Sequence, residues 1–105
     1  MDIEPLKDAF WAIVADCLRH FHGMDTLAAE RAAASLRTRL ETPSAHDEPP
    51  AGYDADILYH NEPFYMACDI TGRELDLESR RAEYDRIAHV RYAVAEHAAM
   101  AGVVA

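Results

Sequence analysis

PLKDAFWAIVADCLRHFH, residues Pro5 to His22, is the stretch whose reading decides the fold. Leu6, Phe10, Ile13, Val14, Cys17, Leu18 and Phe21 recur in it at steps of three and four, the spacing that aligns apolar groups on one face of a helix. Lys7, Asp8, Asp16, Arg19 and His20 are then assigned to the opposite, solvent-facing side. Pro5 suits the first turn, where its missing N–H removes no bond, and Gly23 suits the left-handed residue just past the end. A helix with a stripe this rich in bulk needs partners to cover it, and the rest of the chain has to supply them.

Asp25 or Thr26 can cap a second helix running to about Glu41, with Glu30 near the positive end of its dipole. Its apolar stripe is thin: Ala29, Ala33, Leu36 and Leu40, with the other alanines adding helix propensity and little volume. Small side chains permit close approach, which predicts an antiparallel hairpin with the first helix through a two- or three-residue turn. Residues 42–56 read as a proline-rich loop, beginning TPSAHDEPPAGY. A short extended or single-turn piece is placed at Ile57 to Tyr59, followed by a helix from about Glu62 to Thr71, with Pro63 in its first turn and Gly72 as its stop. Arg73 to Leu77 alternates polar and apolar residues and could pair with Ile57 to Tyr59 as a small two-stranded element. Asp76 then caps the longest helix, Leu77 to about Met100, with an inner stripe of Leu77, Tyr84, Ile87, Ala88, Val94, Ala95 and Ala98. An apolar tail, residues 101–105, either docks on the body or extends an association surface. The expectation is all-α: one domain over residues 1–105, a four-helix bundle-like array with an irregular, short third helix.

Composition narrows the function classes. With 105 residues the chain can bury a core without staples, so the two cysteines, Cys17 and Cys68, are expected as buried free thiols. The start, Met-Asp-Ile-Glu-Pro, carries acidic flanks and no signal-like apolar run, and no stretch approaches the roughly 20 apolar residues of a membrane span, which points to a cytoplasmic protein. A formal net charge of −9 repels nucleic acid and anionic lipid and favours a basic partner, although charge of this size also serves solubility alone.

Motifs for chemistry are sparse. Six histidines invite a metal reading, but the two half-sites at helical spacing, Cys17 with His20 and Asp85 with His89, have no evident second half. His-Glu-x-x-His, paired Cys-x-x-Cys, a Gly-x-Ser-x-Gly elbow and a phosphate-cradling glycine run are all missing from the sequence, so no cofactor, metal or catalytic residue is assigned.

Carboxylates are more informative. Asp47, Glu48, Asp54, Asp56, Glu62, Asp69, Glu74, Asp76 and Glu78 are opposed over that stretch only by Arg73, and Tyr53, Tyr59, His60, Phe64, Tyr65 and Met66 are interleaved with them. Rings supply buried contact area and acids steer a basic protein, which are the ingredients of an interface. The competing reading sends Phe64, Met66 and Ile70 to the core and leaves the acids to water. Asp54, Asp56, Tyr59, His60, Glu62, Tyr65 and Asp69 are the candidate partner-binding residues.

Asp56-Ile57-Leu58-Tyr59 with a proline soon after, set within two helices, a proline-containing loop and a final helix, resembles the immunity proteins of nuclease bacteriocins. Those are small acidic inhibitors, so the resemblance implies that this chain would inhibit a partner protein. It covers about seven residues plus the helix order; the loop here is longer, His60-Asn61-Glu62 intervenes before Pro63, and nothing in the last helix matches, so no family is assigned. The leading expectation is a cytoplasmic interaction module (inhibitor, antitoxin-like or immunity-like factor, or adaptor) for a basic protein, with the question of enzymatic activity left open. The rivals are a small metal-binding protein or enzyme built from the histidines and cysteines, and a homo-oligomeric structural protein such as a homodimer.

Overall fold

The computed structural model describes residues 4–41 and 62–104, with side chains to Ala98. Its helices are α1 (Glu4–His22), α2 (Thr26–Glu41), α3 (Pro63–Thr71) and α4 (Arg81–Val104), with a short 3-10 turn at Glu78–Arg80. Among the described residues there is no strand, and the architecture is the expected all-α, bundle-like packing of four helices. Arg73 to Asp76 forms no ladder; the segment expected to pair with it, Ile57 to Tyr59, lies outside the described residues, as does the loop of residues 42–56.

The hub is α1, against which α2, α3 and α4 all pack. Phe10, Ile13, Val14, Cys17 and Leu18 are almost completely buried, as the stripe predicts, while Trp11, Ala15 and Asp16 are buried as well. The sequence reading placed Asp16 toward solvent; it is only 8% exposed. A two-faced helix has one stripe to hide, whereas a helix surrounded on three sides must hide most of its circumference. Asp16 is compensated by a bidentate hydrogen bond from Arg91 of α4, Nε to Oδ2 at 2.8 Å and Nη2 to Oδ1 at 3.1 Å. Arg19 adds a cation 3.6 Å away.

Local chemistry sets the helix ends. Gly23 adopts φ 71°, the left-handed geometry that ends α1 without a side-chain clash. The Met24 N–H then bonds the Leu18 carbonyl at 3.1 Å, and Asp25 Oδ1 accepts the Ala28 N–H at 2.8 Å to cap α2. The turn is three residues long, as expected. Along α2, Ala29 and Ala33 are buried against α1, but Leu40, expected in the stripe, is 47% exposed. The C-terminal half of α2 runs past the edge of α3 and shares little surface with it, so a shallow groove separates the two helices.

α3 starts with Pro63 in its first turn and ends at Gly72, φ 72°, whose N–H bonds the Cys68 carbonyl at 2.9 Å. Asp76 acts as the expected cap, accepting the N–H groups of Glu78 and Ser79, but on the 3-10 turn that leads into α4. α4 also continues beyond Met100 to Val104, so residues 101–104 extend the helix instead of forming a separate tail. Of its predicted stripe, Leu77, Tyr84 and Ala95 are buried and Ile87 and Ala88 pack at the core edge, whereas Val94 is 68% exposed and Ala98 is exposed. Neighbouring residues on a helix point about 100° apart, and α4 is covered on the side of Ala95 but not on that of Val94. Half-buried Tyr92, and Arg91 reaching Asp16, complete the inner face that Val94 was expected to fill.

Removing one member of a largely buried ion pair strands the other charge, and here Arg91 is about half exposed, which softens the penalty. Arg91→Ala is expected to destabilise the fold by about 2 kcal/mol. Asp16→Asn/Arg91→Ala should cost less than the sum of the single changes in urea titrations; additive losses would show that the pair is not coupled.

Candidate functional site

The candidate surface is the outer side of α3. Glu62, just before the helix, has extended backbone (φ −77°, ψ 128°), as a residue ahead of proline prefers. From there the helix divides by face: Phe64, Ala67 and Cys68 turn into the core, Met66 and Ile70 lie at its margin, and Tyr65 and Asp69 face outward one turn apart. Phe64 is the centre of an aromatic cluster, with edge-on contacts to Phe21 at 5.4 Å, Tyr84 at 5.6 Å and Tyr65 at 5.7 Å. The segment is therefore divided between core and surface. Phe64 belongs to the core, while Tyr65 leans one edge on it and leaves 51% of its surface exposed.

Three of the seven candidate residues fall on the described chain, and they lie at steps of three and four: Glu62, Tyr65 and Asp69. Asp54, Asp56, Tyr59 and His60 lie outside the described residues. Glu62 also has an internal role, because its Oε2 accepts a hydrogen bond from the Tyr84 hydroxyl at 2.6 Å. Burial, followed by that bond, raises the Tyr84 pKa far above its ordinary value, so the phenol remains a donor. The bond ties the entry of α3 to α4.

Other possible reactive groups are accounted for structurally. Cys17 and Cys68 are buried free thiols, and burial, with smaller contributions from Asp16 and Cys68, pushes the Cys17 thiol up to about 12. A thiol held protonated is a core group, not a nucleophile. Its proposed metal partner, His20, is exposed while Cys17 is fully buried in the core. Among the described residues no group of three or more potential metal ligands comes together. A cleft of about 250 Å³ beside Trp11 is lined by Arg19, Arg37 and Arg91, each paired with carboxylates: Arg37 reaches Asp8 at 2.8 Å and Glu41 at 3.1 Å. No described helix is long and apolar enough to cross a membrane.

His22, at the end of α1, was not singled out by sequence. Its Nδ1 lies 3.0 Å from the Thr71 hydroxyl, and its Nε2 is buried without a hydrogen-bond partner among the described residues. Burial, then Arg73 and Arg80, lowers its pKa. Only the contact across 49 residues of sequence could reveal this; a histidine near a helix end carries no such signal by itself.

Arg39, Leu36 and Leu40 of α2 also border the α3 surface. Sequence reasoning assigned the leucines to the core. Their bulk among alanines was the available signal. Comparison with protein-family models, with curated proteins and with solved structures gives no match.

Tyr84→Phe keeps the ring and removes the donor, and is expected to cost about 1.5 kcal/mol, the low end for a bond to a charged acceptor. An unchanged urea midpoint would show that the bond contributes nothing. For His22 the folded pKa is below the unfolded value of 6.5, so the unfolded chain binds a proton first as pH falls. Its contribution is full above that value and is lost as pH drops toward the folded pKa. Between pH 7.5 and 5, wild type should therefore lose more stability than His22→Gln; equal losses would refute the assignment.

Proposed function

We propose that this chain is a protein-interaction module of the cytoplasm, an inhibitor, antitoxin-like or immunity-like factor, or adaptor, that binds a basic protein through the outer face of α3. The observation that carries the reading is a half-exposed aromatic ring, Tyr65, with carboxylates three residues before and four residues after it, Glu62 and Asp69. An exposed ring desolvates readily and fixes position, while the flanking acids accelerate encounter with a positive surface. The charge pattern supports the same choice, since the sequence around α3 holds nine acids against Arg73. Scaffold and surface are separable on this reading. Phe64, Ala67 and Cys68 hold the helix in place, while Asp69 is exposed and Tyr65 touches the core only by the edge it sets against Phe64.

A second reading, association with its own copy, is favoured by Val90 and Val94, which expose 57% and 68% of their surface beside α1. The mass of the purified chain in solution separates the two.

Affinity capture from cells of the source organism should retain a basic protein on wild type and lose it, by tenfold or more, on Tyr65→Ala/Asp69→Lys. Retention should weaken with added salt. Both changes lie on exposed positions, so an unaltered circular dichroism spectrum is expected for the variant. Full retention of every captured protein by the folded variant would remove the outer face of α3 from the function.

A further inference from the structure

Beside the Tyr65 surface, α2 and α3 diverge after packing on α1, leaving an open groove of about 520 Å³. Leu36, Met66 and Ile70 are half-buried in its walls, and Leu40 is 47% exposed. Charge appears on opposite rims, Asp69 on α3 and Arg39 on α2. Asp69 is shared with the stripe that carries Tyr65, so the groove and the proposed surface are continuous.

We propose, building on the reading of α3 as a binding face, that the occupant of this groove is an amphipathic helix of the basic partner. The shape and lining select for it. Small-molecule sites close around a ligand and aim several polar groups at it. This groove is open, mostly apolar, and has its two charges on separate walls. Its α2 wall runs from Ala32 to Leu40, a rise of about 12 Å, which matches the roughly 10.5 Å between the first and last of apolar residues at i, i+4 and i+7 on a helix. Leu36, Met66 and Ile70 form the floor for that ridge, and the flexible Met66 side chain adjusts to it.

Electrostatics gives the incoming helix a sidedness. Lysine or arginine on the flank beside α3 meets Asp69, and a neutral or acidic flank meets Arg39. A second copy of this chain is the wrong occupant, since two chains of net charge −9 repel each other.

The test uses the full chain, methyl-labelled for NMR, and an 18-residue helical peptide of leucine at i, i+3, i+4 and i+7 with lysine elsewhere. A peptide with glutamate in place of lysine is the control. Saturable shifts confined to the methyl groups of Leu36, Leu40, Met66 and Ile70 are expected, with at least tenfold weaker binding to Leu40→Lys and none by the glutamate peptide. Leu40 is exposed, so this variant keeps its fold, and its spectrum verifies that. Shifts centred on Val90 and Val94, equal affinity for Leu40→Lys, or equal binding of both peptides would overturn the proposal. Concentration-dependent shifts of the groove methyls without peptide would assign it to a second copy, and Leu40→Lys shifts in residues 42–61 with no peptide binding would assign it to the chain itself; either result also overturns it. Should Leu40→Lys still retain the captured partner while Tyr65→Ala/Asp69→Lys loses it, the groove assignment fails and the α3 face stands. Loss of neither means that the α3 reading has failed as well.

Discussion

Enclosing one helix on three sides is the constraint from which the rest of this structure follows. α1 has 19 residues and buries almost everything between Ala9 and Leu18, including a carboxylate. An acid in that position is tolerable only beside a cation with matching geometry, and the planar fork of Arg91 supplies two bonds to it. The pair crosses 75 residues of sequence and sets the register of α4 along α1. With that register set, Tyr84 comes beside Phe64 and within reach of Glu62, so the entry of α3 is linked to the same helix.

The short helix owes its placement to this arrangement. α3 has nine residues, too few to be stable alone in water, and it persists because Phe64 is inserted among Phe21 and Tyr84. Fastening one face so firmly leaves the opposite face available. Tyr65 touches the cluster only by its edge, and Asp69 sits one turn further on. On the reading proposed above, anchoring the helix would leave few rotamers to be ordered on binding. The groove beside it arises from the thin stripe of α2: alanines bring its first half against α1, and the leucines of its second half outreach the cover that the nine-residue α3 provides.

Much of the fold was legible in the sequence because it depended on short-range rules. Gly23 and Gly72 both stop helices in the left-handed conformation, Asp25 and Asp76 both cap, and Pro63 opens α3. The site was legible only in part. The spacing of Glu62, Tyr65 and Asp69 places them on one face of a helix wherever that helix lies, but nothing in it says whether Phe64 or Tyr65 turns inward. Leu40 and Val94 were assigned to the core for the same reason that Leu36 and Ala95 were: they are apolar residues at helical spacing. Periodicity reports a direction around a helix, whereas burial depends on whether another element arrives on that side.

By itself the sequence determined the ends of α1, α2 and α3 to within a residue, the all-α class, the buried state of Cys17 and Cys68, and the concentration of acid around α3, all of which follow from backbone geometry, composition and local hydrogen bonding. Tertiary structure alone decided that Asp16 is interior, that His22 meets Thr71, that Glu62 is held by Tyr84, and that a groove opens between α2 and α3. Each of these depends on the path of a second helix past the first, and that path is chosen by the sum of all the packing contacts rather than by any one residue.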